Sequence, residues 1–294
     1  HKPPLIFYLN RLGLAVGGGS PAGVLLLCFL LCLCFLGLTY ATTAPAVGPL
    51  PALCGVLLSL YLLPDLAQTP NLTEGYALPL QAFSVWLLLR EWRDGQRWWF
   101  AASQGGIGAL LVHLRPNCAG VTLVYALLNG YRLVRQKEYR GLVSTGGSVA
   151  LGFGAVYSMV LAPLRLEGAM PEFLYATFGF NLEYVGMTSL GEKLAALYWG
   201  WQWASRSGAV LLVLPVALAV ALRPPSVSSP AGRLALIGSL LFGVEAVLAA
   251  MSGRRYDHYF IPWLLPCAML WGYFCELCLA KEGADRAHLE HQPF

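Results

Sequence analysis

The chain has 294 residues, of which 57% are hydrophobic and only 12% charged, with a net charge of +4. A soluble globular domain carries about 25% charged residues, and a disordered chain is less hydrophobic and more strongly charged, so both classes are excluded. What remains is a polytopic membrane protein, whose small, scattered positive charge gives no argument for nucleic-acid binding.

In chain order, the segment 3–17 is too short and too glycine-rich to span, and reads as an interfacial helix running into Gly17-Gly18-Gly19. A span needs about 20 mostly apolar residues. Candidates follow at 22–41, 46–63, 75–90, 98–114, 118–134, 143–163, 207–222, 234–251 and 259–280. Of these, 75–90 is short and 98–114 contains Ser103, Gln104 and a glycine pair. The expected fold class is all-α: a single polytopic transmembrane helix bundle of about nine spans covering residues 1–294. Cys28, Cys32, Cys34, Cys54, Cys267 and Cys275 sit inside apolar runs, where cysteine behaves as a small hydrophobe. Cys275-x-x-Cys278 has no second ligand pair beside it, so no metal site is read from the chain.

Lysine and arginine set the orientation. They collect in 90–97 (Arg90, Arg93, Arg97), in 132–140 (Arg132, Arg135, Lys137, Arg140), in 223–233 (Arg223, Arg233) and in the tail (Lys281, Arg286). Nine spans place all four groups on one side, the cytoplasm. The outer face then receives the interfacial segment 1–21, the loops 64–74, 114–117 and 252–258, and a long loop at 164–206. That long loop holds Tyr198-Trp199-x-Trp201-x-Trp203, a pattern suited to an interfacial anchor.

Three features do not follow from membrane residence alone. Arg254-Arg255-Tyr256-Asp257-His258-Tyr259 opens the last span on the outer face, against the charge bias. Arginine suits phosphate, and the same residues also suit snorkelling at headgroup level. Glu245 lies inside a span, where a carboxyl is a functional candidate by default or a buried group paired with a neighbouring helix. Glu74 stands where an outer loop re-enters the membrane, and there the helix dipole alone favours a carboxylate. Nucleophile-elbow, zinc-protease, phosphate-loop and dinucleotide motifs are absent.

Four segments together resemble the C-type (GT-C) superfamily of integral-membrane glycosyltransferases, in its protein-mannosyltransferase and lipid A aminoarabinose-transferase branch. They are His1-Lys2-Pro3-Pro4-Leu5-Ile6-Phe7-Tyr8, Asn71-Leu72-Thr73-Glu74-Gly75-Tyr76-Ala77-Leu78-Pro79, Phe178-Gly179-Phe180-Asn181-Leu182-Glu183-Tyr184-Val185, and Arg255-Tyr256-x-His258-Tyr259-x-x-Pro262. The resemblance implies transfer of a sugar from a polyprenyl-phosphate-linked donor to a lipid, polysaccharide or protein acceptor on the outer face. It assigns Lys2, Arg254 and Arg255 to the donor phosphate, with His258 and Tyr259 assisting, and makes Glu74 the catalytic candidate. Glu245 and Asn181 are further candidates. No soluble cofactor is implied; some relatives use a divalent metal. Family members carry one more span and an acidic pair ahead of the Lys-Pro-Pro stretch, so the resemblance makes this chain, starting at His1, an N-terminally shortened one lacking that pair. A bacterial inner membrane is the implied location. The rival readings are a multi-pass transporter or flippase using Glu245 as a coupling site, and an inactive fragment that binds lipid-linked sugar.

Overall fold

The computed structural model describes residues 3–67, 71–222 and 228–290, and among them no strand occurs. Helix α1 (Leu5–Val16) ends in a glycine turn in which Gly18 and Gly19 take φ of 59° and 88°, a region closed to most side chains. Helix α2 (Pro21–Val47) then starts on Ser20, whose hydroxyl accepts from the Ala22 N–H at 3.2 Å, with proline at the first helical position. Gly48, at φ 90°, breaks the chain into α3 (Pro49–Leu66).

Next come α4 (Thr73–Asp94), α5 (Trp98–Leu114), a tight turn at Pro116–Cys118, α6 (Gly120–Arg135) and α7 (Tyr139–Leu166). The stretch expected as the loop 164–206 is largely helical. It contains α8 (Met170–Leu174), a wide turn at Tyr175–Gly179, α9 (Phe180–Gly186) and α10 (Leu190–Arg206). Helices α11 (Ala209–Leu222) and α12 (Pro230–Ala250), a tight helical turn at Asp257–Trp263, and α13 (Leu264–Glu290) complete the order.

Among the described residues, α2, α3, α7, α12 and the stretch Asp257–Leu279 are long and apolar enough to cross a membrane by length and composition. The other four expected spans coincide with α4, α5, α6 and α11. Of these, α6 has 16 residues and α11 has 14. At 1.5 Å per residue, such helices cover about 24 Å or less of a hydrocarbon core about 30 Å thick. Helix α4 has 22 residues but buries Glu74, Gln81, Ser84 and Glu91, so its polar content faces protein rather than lipid.

Without water to drive them together, membrane helices associate through close packing of small residues. A Cβ on Gly105 of α5 would strike the Val149 carbonyl of α7, and one on Gly152 of α7 would strike the Ala102 carbonyl of α5. Gly55 of α3 meets the Ala268 carbonyl of α13 in the same way. Helix α10 carries buried Ala196, Gly200 and Ala204 at spacings of four, one small face on which the Phe260 ring rests against Gly200. Trp199 Nε1 donates to Asp257 Oδ1 at 2.8 Å. The tryptophan-rich helix therefore clamps the turn that opens the last span, with Trp201 left exposed beside it.

Candidate functional site

The site grows from the first turn of α4. Glu74 is 1% exposed. Its Oε2 accepts from the Thr73 hydroxyl at 2.8 Å, and its Oε1 accepts from an Arg115 guanidinium nitrogen, with which it forms an ion pair. Arg115 leaves α5 in extended conformation, at φ −168° and ψ 123°, just before Pro116. That geometry directs its guanidinium over the Tyr259 ring, 3.9 Å from the centroid. Burial works against the arginine charge, but the Glu74 carboxylate, with Tyr259 and Cys118, outweighs it and holds the pKa above the ordinary arginine value.

These residues border a cavity of about 560 Å³ lined by Pro3, Thr73, Arg115, Asn117, Phe180, His258 and Tyr259 among others. The cavity sits between the outer ends of α4, α5 and α12, the α9 region and the Asp257–Trp263 turn. His258 packs edge-on against Tyr259, centroids 4.8 Å apart, and stacks on Tyr256 at 5.4 Å. Beneath the cavity, Gln81 lies on the same side of α4 as Glu74. Its amide donates both to the Cys118 carbonyl at 2.9 Å and to Glu245 Oε1 at 3.0 Å. Glu245, 1% exposed, presses so closely on α6 that a Cβ at Gly120 would collide with its carboxyl.

Of the residues singled out from the sequence, Glu74, His258 and Tyr259 are thus gathered at one site, with Glu245 one layer below. Arg254 and Arg255 are exposed and do not line the cavity. Arg254 instead contributes to the field around Glu192, whose carboxyl is held below its ordinary range by hydrogen bonds from Ser189. Lys2 and the side chain of Asn181 lie outside the described residues, although Pro3 lines the cavity and Asn181 belongs to α9. Among the described residues no three His, Cys, Asp or Glu side chains converge as a metal site.

Arg115 was missed. The argument that singles out Arg254-Arg255, arginine on the outer face against the charge bias, applies equally to the loop 114–117. The signal was therefore present in the sequence.

The model of one family covers the stretch from the Lys-Pro-Pro segment through α6. Residues 1–143 match the dolichyl-phosphate-mannose-protein mannosyltransferase family. The match covers slightly less than half of the chain, and what it shows is the likeness of that stretch to a family of membrane glycosyltransferases that use a lipid-linked sugar. Glu74 and Arg115 fall inside the mannosyltransferase match, whereas His258 and Tyr259 reach the same cavity from beyond it. No curated protein and no solved structure matches the chain.

Proposed function

We propose that the cavity binds a polyprenyl-phosphate-linked sugar and transfers the sugar to a hydroxyl-bearing acceptor on the outer face, in the periplasm of a bacterial inner membrane. The observation that carries this reading is Arg115, a guanidinium fixed on the cavity wall by Glu74 and Tyr259. In such a transfer the acceptor oxygen bonds to the anomeric carbon while the bond from that carbon to phosphate oxygen breaks, and the hydroxyl proton passes to the departing phosphate. The electron pair stays on the departing phosphate. A positioned cation facing that phosphate stabilises the developing charge more than it stabilises the ground state. Arg115 takes that role, with His258 beside it. Both Glu74 oxygens are engaged, so Glu74 acts as a positioning residue that aims Arg115.

The test is binding of a radiolabelled polyprenyl-phosphate sugar to the protein in liposomes, with sugar transfer measured in parallel. Arg115→Ala should weaken donor binding about tenfold or more, Arg115→Lys should keep part of it because charge survives without the planar fork, and Glu74→Gln should fall between them. Binding unchanged in Arg115→Ala and His258→Ala would discard this site.

The transporter reading draws on one observation, the Glu245 carboxyl buried inside α12 with the neutral Gln81 as its hydrogen-bond partner. It requires Glu245→Gln to abolish proton-dependent uptake. The transferase reading requires that variant to leave donor binding within about twofold, because Gln can still pair with Gln81.

A further inference from the structure

At the opposite end of the bundle, a second cavity of about 350 Å³ opens between α2, α4 and α12. Its walls are apolar, with Pro45 and Ala46 from α2 and Trp86 and Leu89 from α4, while Arg90, Arg93 and Arg233 rim it. This is the membrane end that the Lys/Arg distribution assigns to the cytoplasm.

The charges here are not balanced. Asp94 is 2.7 Å from Arg93 Nε and 4.0 Å from Arg90 Nε, and is the one carboxylate ion-paired to the rim among the described residues. Glu91, on the same helix, turns away to Asn129 at 3.3 Å and to Arg132 at 3.9 Å. Arg233 has no ion pair among the described residues. Its NH1 reaches the Trp92 carbonyl at 3.4 Å, and its Nε is shut off from solvent without a hydrogen-bond acceptor. The Trp92 carbonyl is a long, neutral acceptor for a guanidinium that lines the cleft, and an anionic oxygen at the rim would be a stronger one. Arg90 is held over the Trp86 ring, 4.6 Å from its centroid, so the rim is partly organised in advance.

We propose that this cleft binds one anionic phospholipid of the inner leaflet. The headgroup phosphate sits among Arg90, Arg93 and Arg233, and an acyl chain runs along the Trp86–Leu89 wall. The apolar wall favours a lipid over free phosphate, which would leave that wall bare. The inference is independent of the glycosyltransferase reading, since it uses the other end of the molecule.

Native mass spectrometry of the full chain, released from micelles containing dioleoylphosphatidylglycerol or dioleoylphosphatidylcholine, tests it. The wild-type protein should retain one phosphatidylglycerol in preference to phosphatidylcholine. Each arginine removed should lower retention about fivefold, in Arg233→Gln and again in Arg93→Gln/Arg233→Gln. Arg135→Gln, an exposed arginine at the same membrane end but outside the cleft, should leave it unchanged. Should Arg233→Gln fail to fold, Arg233→Lys keeps a cation and should give intermediate retention. Equal retention of the two lipids, equal loss in Arg135→Gln, or displacement of the lipid by millimolar inorganic phosphate would each overturn the proposal.

Discussion

At the residue scale, the candidate site pairs a carboxylate that is nearly inaccessible with an arginine that is not. Glu74 is buried at 1% exposure and the Arg115 side chain is 23% exposed. Removing one partner of a buried ion pair leaves an uncompensated charge, which costs about 3–5 kcal/mol when both groups are fully shielded. Allowing for the exposure of Arg115, Arg115→Met should cost about 2–3 kcal/mol, read as a lowered unfolding temperature in detergent. Glu74→Leu/Arg115→Met should recover most of that loss while still failing to bind donor. A double variant as unstable as Arg115→Met alone would mean the pair is not what holds these loops. Gly120 makes a second test. Its Ala substitution must displace the Glu245 carboxyl from Gln81, and overpacking of that kind costs about 1–3 kcal/mol.

At the scale of elements, α10 packs against the turn that carries His258 and Tyr259 to the cavity. Its first turn is a reciprocal cap: the Glu192 N–H donates to Ser189 Oγ at 3.2 Å, and the Ser189 N–H donates to Glu192 Oε2 at 2.7 Å. Ser189→Ala should speed hydrogen exchange in the first turn of α10 about fivefold. The pH dependence has a definite sign. Because these bonds depress the Glu192 pKa in the folded protein, their contribution is fully present above the unfolded carboxylate range and is lost as pH falls through the folded value. Protection of this turn should therefore persist at neutral pH and fade in acid, and Glu192→Gln should abolish the pH dependence. The α5–α7 contact is a separate element. Gly152→Val would push Val against the Ala102 carbonyl, so the two helices must part, and cross-linking between them should drop.

At the scale of the whole molecule, the site depends on which ends of the helices share a face. Reporter fusions after Gln136 and after Gly253 should give cytoplasmic and outer locations respectively. The same side for both would break the helix count between them and separate the two cavities differently across the membrane. The class of the protein and the existence of its helices were legible in the sequence, because a bilayer forces backbone groups to pair internally and a long apolar run has no alternative to a helix. The charge bias at the loops was legible for the same reason, since lysine and arginine outside the membrane carry their orientation locally. Glu74, His258 and Tyr259 stood out as polar residues at membrane boundaries, where few residue types are tolerated.

What the sequence could not determine was partnership. Arg254 and Arg255 read as phosphate ligands because they are adjacent and close to His258 in the chain, yet the turn leaves both exposed and out of the cavity. Arg115 lies 144 positions before Tyr259 and 41 after Glu74, and only the packing of α4 against α5 and against the Asp257–Trp263 turn brings the three together. The helical character of 164–206 was hidden for a related reason. Helix α10 buries small residues rather than large apolar ones, and such a face is visible only from the ring that fills it. Hydrophobicity and loop charge act on each segment alone, so the chain determines them by itself. Ion pairs and cavity walls are made between segments far apart, and only the tertiary structure decides those.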